Sequence, residues 1–320
     1  MFTRTRAARF WSLFSLLALL AGCGSGVPAP TPTPATRASP APAVLTALPS
    51  TMPRPTAIPV PRTVTPRPTP WPTAAREAVP PETLRLTILY DNYVYQAGLE
   101  AAWGFAALVE YRGQTLLFDT GGDPAILLHN LDLLGIQPGT IQVLVLSHLH
   151  GDHVDGLPAL EERRVYPPTY ILPSFDSRFR SRFGGHYELR DVAPGQELSP
   201  GIYTTGEMVH PAVGIKEQAL VISTTAGLII VTGCAHPGIV EIVAKAKEMF
   251  DAPVYLVLGG FHLGELNQAE VEAIIAAFRD LGVQHVAPTH CTGDLAISLF
   301  AAAYGDDYVR AGVGQVLLVK

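Results

Sequence analysis

Cysteine, charge and long apolar runs are all scarce in this chain of 320 residues. It has three cysteines and 16% charged residues, and its main apolar run, Phe10 to Ala21, is about a dozen residues long. A membrane-spanning helix needs roughly 20, so that run is too short to span. Acidic residues are nearly missing from positions 1–81, where Glu77 stands against Arg4, Arg6, Arg9, Arg37, Arg54, Arg62, Arg67 and Arg76. That part carries +7, and with the whole chain at −6 the remaining 239 residues carry −13. A field of that sign repels phosphate backbones and argues against nucleic acid as the principal partner. Hydrophobic periodicity is missing between Val27 and Pro81, where 17 of the 29 prolines lie. Such a stretch buries too little apolar surface to offset its ordering entropy.

What is present at the N-terminus is a basic segment, Met1 to Arg9, then the apolar run and Leu20-Ala21-Gly22-Cys23. This reads as an export signal. It resembles the bacterial lipoprotein signal, which implies cleavage before Cys23, acylation of its thiol and a lipid tether rather than a helical one. The expected organisation is a signal peptide at 1–22, a lipidated Cys23 with a Pro/Thr-rich linker at 23–81, and one globular domain at 82–320. The linker favours extended polyproline II and works as a stalk. The expected location is the extracytoplasmic face of a bacterial cell envelope, with the membrane reached through the anchor.

Within the domain, Leu84 to Tyr90 alternates as a strand does, and Gly104 to Tyr111 and Thr115 to Phe118, joined at Arg112-Gly113-Gln114, read as a hairpin. Asp123 and Pro124 place an N-cap and a first-turn proline before a helix that reaches Leu134 and stops at Gly135. Val143 to Leu146 has the continuous apolar pattern of a strand buried on both faces. Residues 219–223 and 228–231 form a further strand pair. A helix at 239–249, a strand at 254–258, a helix at 269–281, a strand at 285–287 and a helix at 295–303 complete the chain. Strands lead and α/β alternation follows, so the class is a layered α/β (α+β) fold with helices covering a sheet-rich core.

All ten histidines fall in the acidic domain. Three of them follow the Val143 strand in Ser147-His148-Leu149-His150-Gly151-Asp152-His153. Residues i and i+2 of a chain leaving a strand point the same way, so His148 and His150 can face one point. Gly151 permits a tight turn that carries Asp152 and His153 to a second point nearby. Imidazole with carboxylate suits Zn²⁺, and also iron or manganese. One loop cannot complete two coordination spheres, so further ligands must come from later in the chain, and the candidates are His236, His262 and His290, each of which follows an apolar strand. Cys234 and Cys291 each sit beside a histidine and read as part of a site rather than a disulfide, although an exported protein could pair them. His129, His186, His210 and His285 lack such a setting and read as structural or exposed. Arg178, Arg180, Arg182 and Arg190 are either receivers of an anionic substrate group or a solvated loop face.

His-x-His-x-Asp-His after a strand resembles the signature of the metallo-β-lactamase superfamily, met in full by His148, His150, Asp152 and His153. The resemblance implies a four-layer αββα sandwich with two metals at one edge of paired sheets. It implies that Asp119, in Phe118-Asp119-Thr120-Gly121, orients a ligand rather than binding metal. By the same resemblance His236 completes the metal held by His148 and His150, and His290 joins Asp152 and His153. Superfamily members commonly have a bridging Asp after Thr-Gly where this chain has Cys234, which either ligates as thiolate or lines the site. One Zn²⁺ or two are therefore both open. His262 is a metal or substrate residue, or a satisfied strand-end histidine.

Gly233-Cys-Ala-His236-Pro-Gly238, Gly259-Gly-Phe-His262-Leu and Pro288-Thr-His290-Cys-Thr-Gly293 together resemble the branch named for the dihydropterin-(ribofuranosyl)aminobenzene-phosphate synthase. An exported protein is badly placed for a cytoplasmic pterin pathway, so the branch name is not taken as the substrate. The implied activity is metal-dependent hydrolysis of a small molecule, a metal-bound hydroxide attacking an ester, lactone, amide or phosphoester while Asp152 holds or deprotonates the nucleophile. The alternatives are an iron-type redox or sulfur-chemistry enzyme of the same fold and a non-catalytic, metal-dependent binding lipoprotein.

Overall fold

The computed structural model describes Pro80, residues 82–210, Ala212 and residues 214–320. The export signal, Cys23 and the proline-rich segment as far as Val79 lie outside the described residues. Among the described residues no helix is long and apolar enough to cross a membrane.

The expected hairpin opens the fold. Strands β1 (Leu84–Tyr90), β2 (Ala106–Tyr111) and β3 (Gln114–Phe118) run antiparallel. Arg112 and Gly113, at φ of 50° and 75°, close β2 on β3 with the turn geometry that suits strand twist. Helix α1 (Pro124–Leu133) begins where the Asp123 carboxylate accepts the Ala125 and Ile126 amides at 2.7 and 3.3 Å. There follow β4 (Val143–Val145), α2 (Gly151–Val154), α3 (Pro158–Glu162), β5 (Thr169–Ile171), α4 (Ser177–Phe183) and β6 (Leu189–Asp191). Next come β7 (Glu197–Ser199), β8 (Ile202–Thr204), β9 (Met208–Val209), β10 (Lys216–Glu217), β11 (Leu220–Ser223) and β12 (Leu228–Thr232). The chain ends with α5 (Ile239–Met249), β13 (Val254–Gly260), α6 (Gln268–Asp280), β14 (His285–Thr289), α7 (Asp294–Tyr304) and β15 (Val316–Val319).

Two sheets result. One has the order β15-β1-β2-β3-β4-β5-β6, the other β14-β13-β12-β11-β8-β7. Strands β3 to β6 are parallel to one another, as are β12, β13 and β14. Strand β12 shows why the sheets stack. Ile229 and Val231 pack into the core shared with the first sheet, while Leu228 and Ile230 pack into a second core built on α5, α6 and α7. Period-2 alternation with both faces apolar can be buried only between layers. Helices α1, α3 and α4 cover the first sheet through Leu127, Leu131, Leu160, Phe179 and Phe183. The architecture is the expected four-layer αββα sandwich.

The structure extends several expected elements. Strand β13 runs on to Gly260 and β14 to Thr289, two residues further than their apolar runs. Pro288 is tolerated because β14 is an edge strand, where a missing N–H breaks no ladder. Helix α6 starts earlier, at Gln268, because Asn267 and Glu270 form a reciprocal capping box. Strands β5 to β10 and helices α2 to α4 lie in the region that read as irregular, and β15 closes the first sheet against β1. Under the second sheet the rings of Phe261, Phe278 and Phe300 meet at centroid distances of 5.4 to 5.7 Å. Phe300 is fully buried, so Phe300→Ala should cost about 3–5 kcal/mol in urea unfolding. A loss below about 1 kcal/mol would show that this layer is not packed as described.

Candidate metal centre

Five strands deliver their C-terminal ends to one edge of the sandwich. Asp119 follows β3, Ser147 and His148 follow β4, Cys234 and His236 follow β12, His262 follows β13, and His290 follows β14. The His148–His153 loop is clamped from behind. The Thr120 amide and hydroxyl donate to the His153 carbonyl at 2.8 and 2.9 Å, and the Phe105 amide donates to the Asp152 carbonyl at 3.2 Å. Six non-glycine residues among those described have positive φ, and four of them, Asp119, Ala235, His262 and His290, are at these strand ends. Each such residue carries strain of order 1 kcal/mol, which surrounding contacts must hold in place.

Four imidazoles are anchored in the same way, through Nδ1. His148 Nδ1 lies 2.8 Å from Ser147 Oγ, His153 Nδ1 2.7 Å from Asp119 Oδ2, His236 Nδ1 2.8 Å from Glu217 Oε2, and His290 Nδ1 3.0 Å from Asn92 Oδ1. The Ser147 hydroxyl gives its one proton to Asp119 Oδ2 at 2.7 Å, so His148 Nδ1 donates to Ser147 and His148 Nε2 is left as a bare lone pair. That Nε2 is buried without a hydrogen-bond partner. A buried polar atom left unpaired costs about 1–3 kcal/mol, and a cation is the partner its surroundings fit.

Those surroundings fall into overlapping donor sets. Asp152, His153, Cys234 and His290 bring ligand atoms within 4.8 Å of one another, and so do His148, Cys234 and His236. Cys234 Sγ belongs to both, lying 3.2 Å from His153 Nε2 and 3.3 Å from His290 Nε2. Asp152 Oδ2 is 3.5 Å from His153 Nε2 and 3.4 Å from His290 Nε2. His150 stands edge-on to His148 and His236, with ring centroids at 4.6 and 4.9 Å. A third set joins Cys234, His262 and Cys291. Both cysteines are free thiols, so the disulfide alternative is not realised.

The electrostatics suit metal ligation. Burial, with repulsion from neighbouring imidazoles, lowers His148 and His153 to about 3 and keeps them neutral, as ligation requires. Burial pushes the Asp119 carboxyl up to about 7 despite its contacts with His148 and Ser147. Burial also raises Glu217, but His148, His236 and the loop amides outweigh it and hold the carboxyl well below the usual range. Asp152 follows the same pattern, its desolvation outweighed by His290 and His153. The sheets can approach this closely because position 233 has no side chain, since a Cβ on Gly233 would fall against Ser147 Oγ and near Asp119.

Every residue singled out in the histidine motifs therefore reaches this edge, and Asp119 braces His153 and Ser147 as expected. Others were missed. Glu217 accepts the amides of Cys234, Ala235 and His236 at 2.8 to 2.9 Å and so fixes the whole loop. Its signal was a carboxylate two residues before the apolar run Ala219–Ile222. Asp91, raised to about 6 by burial, accepts Thr289 Oγ1 at 2.7 and 2.8 Å, and Asn92 holds His290; both follow β1, where the strand-end rule would have found them. Trp103, 62% exposed, stands 5.1 Å from the His290 ring and carried no signal. His210, expected to lack a site role, shares a cavity wall with His236 and His262. Of the two readings left open for the arginines, the surroundings fit the solvated face. Arg180 is occupied by Phe175 O, Leu172 O and Asp191, and Arg190 by Glu188 and Tyr170. Arg178 and Arg182 are exposed on α4, with Arg182 over the Phe183 ring.

A four-layer sandwich with imidazole, carboxylate and thiol donors converging on one sheet edge defines the class of metal-dependent hydrolase folds. The pattern of the Metallo-beta-lactamase superfamily matches residues 104–300, and the chain belongs to that superfamily. It is 29% identical over 287 residues to the 7,8-dihydropterin-6-methyl-4-(beta-D-ribofuranosyl)-aminobenzene-5'-phosphate synthase of Methanocaldococcus jannaschii, covering 74% of this chain and 97% of the relative. A solved metal-dependent hydrolase of the beta-lactamase superfamily is 28% identical, with a TM-score of 0.63 over 74% of this chain and 99% of that one. A diphosphatase of the PhnP family shares the fold at 15% identity and a TM-score of 0.52, over 74% of this chain and 97% of that one.

Loss of an outer brace should weaken metal binding without unfolding the chain. Glu217→Gln is expected to lower metal affinity about 10- to 100-fold in competition with a chromophoric chelator. Unchanged affinity would mean that His236 needs no brace.

Proposed function

We propose that this protein is a metal-dependent hydrolase of small molecules, holding one or two divalent cations, with Zn²⁺ as the first expectation from the donor types. His148, His150 and His236 serve one position, Asp152, His153 and His290 the other, and Cys234 lies between them. The observation that carries the reading is the common anchoring of four histidines through Nδ1, which turns their remaining nitrogens towards shared donors. When bound, the metal supplies Lewis acidity and makes water acidic enough to attack at neutral pH. Asp152, partly exposed and held ionised by His290 and His153, would orient an attacking water and take its proton. His262, exposed beside His236 and raised by its hydrogen bond with Cys291, is placed to return a proton to the leaving group. The buried carboxylates of Asp119 and Glu217 keep the imidazoles in register through this exchange.

Export and lipid tethering through Cys23 belong to the same proposal and rest on the Arg4–Cys23 sequence alone. A second reading, group transfer to an acceptor other than water, is favoured by the synthase name of the archaeal relative. Product analysis separates the two, since hydrolysis incorporates oxygen from labelled water and transfer does not.

Elemental analysis of the protein from metal-supplemented medium should find up to two equivalents of metal, and markedly less in His148→Ala. Equal metal in both, or none in the wild type, overturns the proposal. On a panel of esters, lactones, amides and phosphodiesters, Asp152→Ala should lower kcat by about 10²- to 10⁴-fold. An unchanged kcat removes Asp152 from the chemistry.

A further inference from the structure

The space beside the metal centre has two unlike flanks. From His236 and His262 a cavity of about 490 Å³ extends along the start of α5 and the face of α6, within the size range of sites that enclose a small ligand. Its walls are Ile239 and Val240 of α5, Leu263 and Leu266 of the β13–α6 connection, and Ile274 and Ala277 of α6. Glu241 is the one carboxylate on the wall, and among the described residues no lysine or arginine lines it. The other flank, beside His150, is smaller, at about 200 Å³, and holds Lys216. That lysine is paired with Glu207 at 2.7 Å.

Charge and surface decide between substrate classes here. A phosphoryl group far along the larger cavity would lose water against aliphatic walls and next to Glu241, since the imidazoles on the wall, His210, His236 and His262, lie apart from the apolar side chains of α5 and α6. An uncharged alkyl or arylalkyl group would gain from the same walls, because its burial removes apolar surface from water on both partners. The cavity is continuous with the chemistry, since His236 of the candidate metal set and His262, with ring centroids 4.5 Å apart, form its inner end. A scissile group held at the centre therefore directs its substituent along α6.

We infer that this cavity is the subsite for an apolar, uncharged arm of the substrate, so that the hydrolysed compound carries an aliphatic or arylalkyl chain beside its scissile group. The inference rests on the hydrolytic reading above and deepens it by naming the substrate class. Ile239, Leu263 and Ile274 are then specificity-determining residues, acting on chain length rather than on the bond broken.

The test uses the metal-loaded protein with two series, p-nitrophenyl esters from acetyl to decanoyl and alkyl hydroxamates of the same lengths. The hydroxamates are titrated by calorimetry and bind without turnover. Both hydroxamate affinity and ester kcat/KM should rise about two- to fourfold per methylene until the cavity is filled. Ala273→Trp, which fills the cavity from the exposed face of α6, should flatten that slope, and Ala277→Asp should do so by placing a charge on the wall. A flat hydroxamate series in protein shown to carry metal overturns the subsite, as does a slope left unchanged by both Ala273→Trp and Ala277→Asp. A steep hydroxamate series without turnover of any ester, lactone, amide or phosphodiester supports the subsite and instead sinks the hydrolytic reading.

Discussion

The centre depends on two carboxylates that have no contact with solvent. Asp119 and Glu217 are both fully buried, and an ionised carboxylate taken out of water is tolerable only if its oxygens are met by donors. Asp119 is met by the Ser147 amide and hydroxyl and by His153, while Glu217 is met by three successive amides and the His236 ring. Each therefore binds a loop of one strand to a loop of another. Breaking either arrangement leaves a buried charge uncompensated, a loss on the scale of about 3–5 kcal/mol. Three amides and two neighbouring imidazoles hold Glu217 low, whereas burial, with the nearby charge of Glu217, pushes Asp119 up to about 7 despite His148 and both donors of Ser147.

Parallel strands make that arrangement possible. In β3 and β4, and again in β12, β13 and β14, the chain crosses the sheet repeatedly in one direction and returns through helices or long connections. Successive strand ends are thereby collected at one edge, the place where α/β folds assemble ligand sites. The left-handed residues Asp119, Ala235, His262 and His290 turn the chain sharply as it leaves the sheet, and Gly233 lets two such exits pass in contact. The aromatic layer of Phe261, Phe278 and Phe300 belongs to the core behind the second sheet, and Phe261 links it to the neighbouring His262. Rigidity is thus concentrated beneath the centre. The α5–α6 flank, with Ala273 and Glu241 exposed, remains open to solvent.

Much of this was legible along the chain because it is local. The alternation of β1, the hairpin at Arg112-Gly113, with Gln114 joining β3 rather than the turn, the Asp123 cap and the apolar runs of β11 to β13 are set by neighbours a few residues apart. The histidine motif declared a metal centre for the same reason, since its spacing after a strand is itself the geometry of the loop. Strands of two or three residues, such as β5 to β10, are too short to show a period. Their partners, and the closure of the first sheet by β15, depend on residues far away in sequence.

By itself, then, the sequence determined the layered fold class, the acidic balance of the domain and the identity of the metal-type side chains. Only the tertiary structure decided how they act together. It brought Asn92 to His290 across 198 positions, set Glu217 beneath a loop 17 to 19 residues away, and placed Cys234 between two donor sets. It also withdrew Arg180 into backbone contacts and put His210 on a cavity wall. The physical reason is that donor sharing and burial are pairwise in space, and no local pattern encodes which distant strand end will supply the second member of the pair.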